Sequence, residues 1–178
     1  MASLDSKDQH EPGQVPEVVL ARWGTRFWAW LVDFIIVTTA AEILFAIAYS
    51  PLAFLQGAGE EGVNPALGAA RYAVQSLMFF AYWTYFESAA AGATGQSIGK
   101  KLLKIKTTDL SGSKAPDVKS AAIQSFGKAF LLPIDVLLGW IFTNDKRQRL
   151  LSRAANTIVV KVPAEDAGTG NVRYRKDK

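Results

Sequence analysis

Two long apolar stretches and one interrupted apolar stretch, set between polar segments, organise this chain. The first, Ala29 to Tyr49 (AWLVDFIIVTTAAEILFAIAY), supplies about the ~20 residues a helix needs to cross ~30 Å of hydrocarbon. It predicts a transmembrane helix over about 27–49 that ends near Ser50 and Pro51. The second, Tyr72 to Ala93, predicts helix two over about 72–93, and its cluster Phe79, Phe80, Tyr82, Trp83, Tyr85, Phe86 is too aromatic for an exposed soluble helix. Some of these rings are expected to pack inside the protein, with Trp83 and Tyr85 in an interfacial belt. The third stretch, 121–142, is interrupted by Lys128, Pro133 and Asp135. A proline inside a helix removes one hydrogen bond and forces a bend, so this segment is expected to be kinked, re-entrant or split into two short helices.

Between the second and third stretches, Leu103, Ile105 and Thr107 alternate with Lys104, Lys106 and Thr108, a period of two that predicts a short strand. Near the end, Asn156 to Val162 (NTIVVKV) is a β-branched run too short for a helix and is stopped by Pro163. The expected fold is an all-α membrane protein with two to four transmembrane or re-entrant helices and a small cytoplasmic two-stranded β element. Residues 1–20, polar and broken by Pro12 and Pro16, and residues 163–178 are expected to be disordered tails around a membrane domain of 21–162.

Positive charge sets the expected orientation. Lys7, Arg22 and Arg26 precede helix one, the first loop is almost free of lysine and arginine, and Lys100, Lys101, Lys104, Lys106, Lys114 and Lys119 follow helix two. The excess of basic residues on cytoplasmic segments places the N-terminus inside, in a multi-pass protein of the cell membrane. A single crossing by the third stretch would put Lys146, Arg147, Arg149 and Arg153 outside, against the same bias. A stretch that breaks at Pro133 and returns, or lies along the interface, keeps both strands and the C-terminus on the cytoplasmic side.

The chain has no cysteine and one histidine, His10, in the N-terminal tail, so thiol chemistry, Cys/His metal sites and histidine triads have no material. No enzyme activity, cofactor or metal is expected. The net charge of +4 does not point to nucleic acid, because the basic residues flank apolar blocks. Lys100, Lys101, Lys104, Arg147 and Arg149 are instead the expected contacts for anionic headgroups.

Ionisable groups inside apolar blocks are the remaining candidate chemistry. A carboxylate at bilayer depth costs roughly 2.5–3.5 kcal/mol on insertion scales, so each needs a partner, a watery cavity or a proton. Asp33 and Glu42 lie nine positions apart in helix one and face opposite sides, while Asp135 sits in the third stretch. In a functional reading Asp33, Asp135 and Glu42 are cation or proton sites. In a structural one, Asp33 binds Arg26, Lys128 or backbone to lock the bundle, Lys128 snorkels and Glu87 rests at headgroup level.

Three stretches carry a resemblance to a known family. Arg26 to Asp33 (RFWAWLVD), Gly95 to Lys106 (GQSIGKKLLKIK) and Arg147 to Val160 (RQRLLSRAANTIVV) together resemble the RDD family, named for one arginine and two aspartates. The matching positions are Arg26, Asp33, Gly95, Gln96, Gly99, Lys100 and Arg153, and their shared order makes the likeness more specific than any one block. One position departs: Ser152 stands where the family usually has aspartate before arginine. The resemblance implies a small multi-pass membrane protein, and some members of that family are regarded as sodium/proton antiporters or transport-associated proteins. The expected function is therefore transport-related, in the form of monovalent cation/proton exchange through a homo-oligomer, with a non-catalytic module binding a partner or anionic lipid as the alternative.

Overall fold

The computed structural model describes residues 17–56, 65–141, 146–162 and 173–176. Strand β1 (Glu17–Leu20) leads into helix α1 (Trp23–Gln56), followed by helix α2 (Pro65–Phe86), a 3-10 turn at Ala90–Gly92 and the short helix α3 (Ile98–Leu102). Strand β2 (Ile105–Asp109), helices α4 (Val118–Phe130), α5 (Leu132–Ile141) and α6 (Leu150–Ala154), and strands β3 (Thr157–Lys161) and β4 (Arg173–Lys176) complete the order.

Helix α1 has 34 residues, about 51 Å at 1.5 Å per residue. Its segment Trp23–Ala48 is long and apolar enough to cross a membrane, and only 17% of the apolar window is buried, the reverse of a helix at the centre of a soluble core. It does not stop at Ser50 and Pro51 as the sequence suggested, but continues to Gln56. One proline removes one hydrogen bond, which an otherwise apolar helix tolerates. Helix α2 is displaced toward the N-terminus relative to 72–93. It starts on Pro65, whose missing N–H costs nothing at a first helical position. It stops at Phe86 because the Ser88 hydroxyl donates to the Tyr85 carbonyl and accepts from Ala90 N–H, folding the small-residue run into a turn. The third apolar stretch divides at Leu131 into α4 and α5, of 13 and 10 residues, each short of the ~20 needed for a span.

The β element has four strands rather than two, in the order β2-β3-β1-β4. Strands β2 and β3 pair antiparallel from Ile105↔Lys161 to Asp109↔Thr157. Strand β1 adds antiparallel to β3 at Leu20↔Val160, and β4 adds parallel to β1 from Glu17↔Arg173 to Leu20↔Lys176. Residues 17–20 and 173–176 are thus strands within stretches expected to be disordered tails, and 1–16, 163–172 and 177–178 lie outside the described residues. Val18 and Leu20 are buried with Ile158 and Val160, and Tyr174 packs on that cluster while its hydroxyl donates to the Leu110 carbonyl at 2.5 Å. A few well-placed apolar side chains are enough for a strand when a neighbouring strand is already there.

On the other sheet face Ala21, Ala29, Ile105 and Val159 join the sheet to the start of α1. Further along, Val37, Phe79 and Trp83 pack α1 against α2. The sheet is thereby fixed at the N-terminal end of α1, where the candidate site lies.

Candidate functional site

Asp33 is 1% exposed and stands on the inner side of α1. Its Oδ1 accepts from Tyr82 Oη and Gly99 N, both at 2.8 Å, and its Oδ2 from Ser97 Oγ at 2.6 Å and Trp83 Nε1 at 3.2 Å. A carboxylate offers about four lone-pair sites, so these four donors fill it. The donors come from α2 and from the loop that opens α3. Ser97 Oγ also caps α3 by accepting from Lys100 N, and Tyr82 Oη accepts from Ile98 N. Gly99 permits this approach: a Cβ there would overlap the Ala29 carbonyl oxygen of α1. Gly95, at φ +74°, would likewise run into the Thr107 carbonyl, and Gln96 Nε2 donates to the Ile105 carbonyl at 2.9 Å. The segment from Gly95 to Lys100 is thus folded onto the Asp33 carboxylate and the sheet.

A second carboxylate lies deeper. Glu87, fully buried just after α2, forms ion pairs with Lys100 at 2.8 Å and with Lys128 of α4. It also accepts from Thr107 Oγ1 at 3.2 Å and from Gln124 Nε2 at 2.6 Å. Burial alone would raise the Glu87 carboxyl, but the two ammonium groups override it and hold it at about 2. Burial pushes Lys100 and Lys128 below the usual lysine range, against the pull of Glu87. Gln124 carries the network onward, accepting from Ser152 Oγ at 3.3 Å and Thr157 Oγ1 at 2.8 Å. Ser152 therefore enters this network as a neutral donor.

Asp135 forms a third centre. Its Oδ1 accepts from Leu151 N at 3.0 Å, in the first turn of α6, and its Oδ2 lies 3.4 Å from Arg149 Nη1, an ion pair without a close hydrogen bond. Arg26 donates to the carbonyls of Arg147 and Val159, tying α1 to the last third of the chain. No carboxylate pairs with Arg26 among the described residues, and its Nε is buried without a partner.

These groups surround a cavity of about 600 Å³. Four cations, Arg26, Lys100, Lys128 and Arg149, and two carboxylates, Asp33 and Glu87, contribute to its lining. Asp135 meets Arg149 from outside that lining. The remaining wall is apolar and largely aromatic, with Trp23, Phe27 and Trp30 from α1, Trp83 from α2 and Leu137 from α5.

Sequence reasoning singled out Asp33, Asp135 and Glu42, and the structure does not gather them into one site. Asp33 is saturated by neutral donors, the backbone N–H of Gly99 among them as the structural reading allowed, and not by Arg26 or Lys128; Asp135 braces α5 against α6, and Glu42 pairs with Arg71 on an exposed face. Lys100 and Arg149, expected at the headgroups, are enclosed, with side chains 7% and 12% exposed. Lys101 and Lys104 are exposed, as is Arg153, while Arg147 is half-buried. Glu87 and Lys128 are buried and paired with one another rather than extended toward solvent. Glu87, Lys100 and Lys128 are far apart in sequence, and only the fold joins them. The one sequence signal for Gln124 was a polar side chain inside an apolar run.

No curated protein and no solved structure matches the chain at a significant level. The RDD family model matches residues 20–156. That span runs from the last residue of β1 to the turn before β3 and takes in Arg26, the Asp33 clamp, the Gly95–Lys100 loop and the Glu87 network, and this membrane protein belongs to the RDD family.

Proposed function

We propose that this protein is a non-catalytic binding module, set in the cell membrane by α1 and α2, whose cavity takes an anionic group at the cytoplasmic surface. One observation carries the reading: four cationic side chains border a cavity whose wall is mostly apolar, and the carboxylates at or beside it number three, leaving Arg26 with no acidic partner among the described residues. An enclosed excess of positive charge favours an anion far more than the same charges in water would. Among the described residues Lys128 spends one of its three N–H donors, on Glu87, leaving two for a ligand.

The sheet supports the orientation. Four strands in one sheet share one side of a bilayer, so the chain between β1 and β2 crosses an even number of times, as does the chain between β2 and β3. Two crossings by α1 and α2, with α4 and α5 returning or lying at the interface, meet both conditions and keep the basic segments inside.

Exchange of a monovalent cation for protons has one supporting observation of its own. Two lysines sharing Glu87 beside the cavity form a group that can exchange a proton. Asp33 gives it less support, because its acceptor positions are already filled.

Trp23, Trp30 and Trp83 line the cavity, so intrinsic fluorescence reports its occupancy. The purified protein in neutral detergent, titrated with inorganic phosphate and with dihexanoyl phosphatidic acid, should give a saturable change for at least one of them, lost in Lys128→Gln. No response to either sinks the anion reading. Cation-dependent proton movement in liposomes, carried by the wild type and lost in Glu87→Gln, would replace it with exchange.

A further inference from the structure

We infer that the cavity is the seat of one anionic phospholipid drawn sideways from the bilayer, its phosphate among the basic side chains and its acyl chains leaving past Phe27 and Leu137. This deepens the anion-binding reading and rests on it. The distinguishing observation is the division of the cavity into two chemistries. Its charged residues lie on the inner side, where Lys100 and Lys128 are only 6% and 7% exposed. At its border Phe27 and Leu137 are 53% and 55% exposed, so an apolar wall continues onto the outer surface of α1 and α5. A free phosphate would have no use for that wall and would cross an apolar rim to reach the lysines. A phospholipid already lies with its tails against such a surface and its headgroup near the first turns of α1, the end fixed to the cytoplasmic sheet.

The sizes agree. Small-ligand cavities run to roughly 300–1,000 Å³, and the space here is about 600 Å³, room for a phosphate with its glycerol but not for two whole acyl chains. The chains must therefore extend outside, along the exposed apolar face. The aromatic rings from α1 and Trp83 supply a wall for the glycerol and upper methylenes, and Lys128, 5.3 Å above the Trp83 ring, joins the two regions. A bound phosphate also offsets the burial that disfavours charging Lys128.

The test compares ligands that share a phosphate but differ in tail or net charge, using tryptophan fluorescence of the full-length protein in neutral detergent. Dihexanoyl phosphatidic acid is expected to bind at least ~10-fold more tightly than inorganic phosphate and than dihexanoyl phosphatidylcholine, a difference of about 1.4 kcal/mol. Lys128→Gln should weaken phosphatidic acid by ~10-fold or more, as expected for loss of a charge-assisted contact, while Lys119→Gln, on an exposed part of α4, leaves it unchanged. Because Lys128→Gln also disturbs Glu87, Leu137→Trp provides a second arm. Narrowing the rim should weaken the lipid and spare inorganic phosphate.

Equal affinity for phosphate and phosphatidic acid overturns the lipid inference and leaves the anion site standing. Equal affinity for phosphatidylcholine and phosphatidic acid overturns it as well, because tail partitioning alone then explains the signal. Silence from all three ligands removes both readings together.

Discussion

Asp33 holds four donors from two parts of the chain, and its charge is what lets one side chain accept from all of them. Asp33→Asn keeps the shape but turns an NH2 group toward two of those donors. Hydrogen bonds to a charged acceptor contribute about 1.5–3 kcal/mol each, so the variant should lose at least about 3 kcal/mol in thermal or denaturant unfolding. An unchanged melting temperature would mean that the carboxylate is not the clamp described. Gly99→Ala should be as damaging for a different reason, since its methyl group meets the α1 backbone and cannot be accommodated by a rotamer change. At this scale the sequence was informative about which residues matter and less so about what they do. Asp33 stood out as a carboxylate in an apolar helix. Its partners did not, because hydroxyl, indole and backbone N–H donors carry no charge pattern that could be read along the chain.

The joints between elements depend on Glu87, which connects the end of α2 with α3 and α4 through Lys100 and Lys128. Its carboxyl is held at about 2 in the folded protein, against an ordinary value of 4.5. The stabilisation is therefore fully present above about pH 4.5 and is lost as pH falls toward about 2. Unfolding midpoints measured across this window should decline with acid, and Glu87→Gln should flatten the decline while lowering stability at neutral pH, where it leaves two buried ammonium groups without their counter-charge. A wild-type profile with the same slope as the variant would refute this account. Apolar runs located α1, α2 and the broken third stretch, and the period of two located β2 and β3. Strands β1 and β4 were missed because the first is a four-residue run next to a polar tail and the second, RYRK, has one ring among three cations. Their order comes from pairing with segments remote in sequence, which local pattern does not encode.

Across the whole molecule, the four-stranded sheet constrains how the chain sits in a bilayer more tightly than charge counting does. The protein has no native cysteine, so single cysteines can report sidedness against an impermeant thiol reagent. Lys101→Cys and Arg175→Cys, near opposite edges of the sheet, should label from the cytoplasmic side only, and Ala69→Cys, in the first turns of α2, from the outside only. Opposite sidedness for Lys101→Cys and Arg175→Cys would be incompatible with one sheet. Charge and length conflict here, with the third stretch long enough to cross and its flanks too basic to be expected outside the cytoplasm. Division of that stretch at Leu131 into two helices, each shorter than a span, is compatible with a course that returns to the side it left, and the packing that brings Asp135 onto α6 was not visible in the order of residues.

The Asp33 clamp also sets a schedule for biogenesis. Helix α1 leaves the ribosome before its partners, and the last of the four donors to its carboxylate, Gly99, is made 66 residues after Asp33. The helix must therefore be delivered to the lipid on the strength of its apolar residues alone, with a carboxylate that costs roughly 2.5–3.5 kcal/mol and has nothing yet to bind. Insertion and locking are separate events in time. A nascent chain arrested before Ser97 would hold its first-helix acid with two of its four donors, Tyr82 and Trp83, and without the two that tie it to α3.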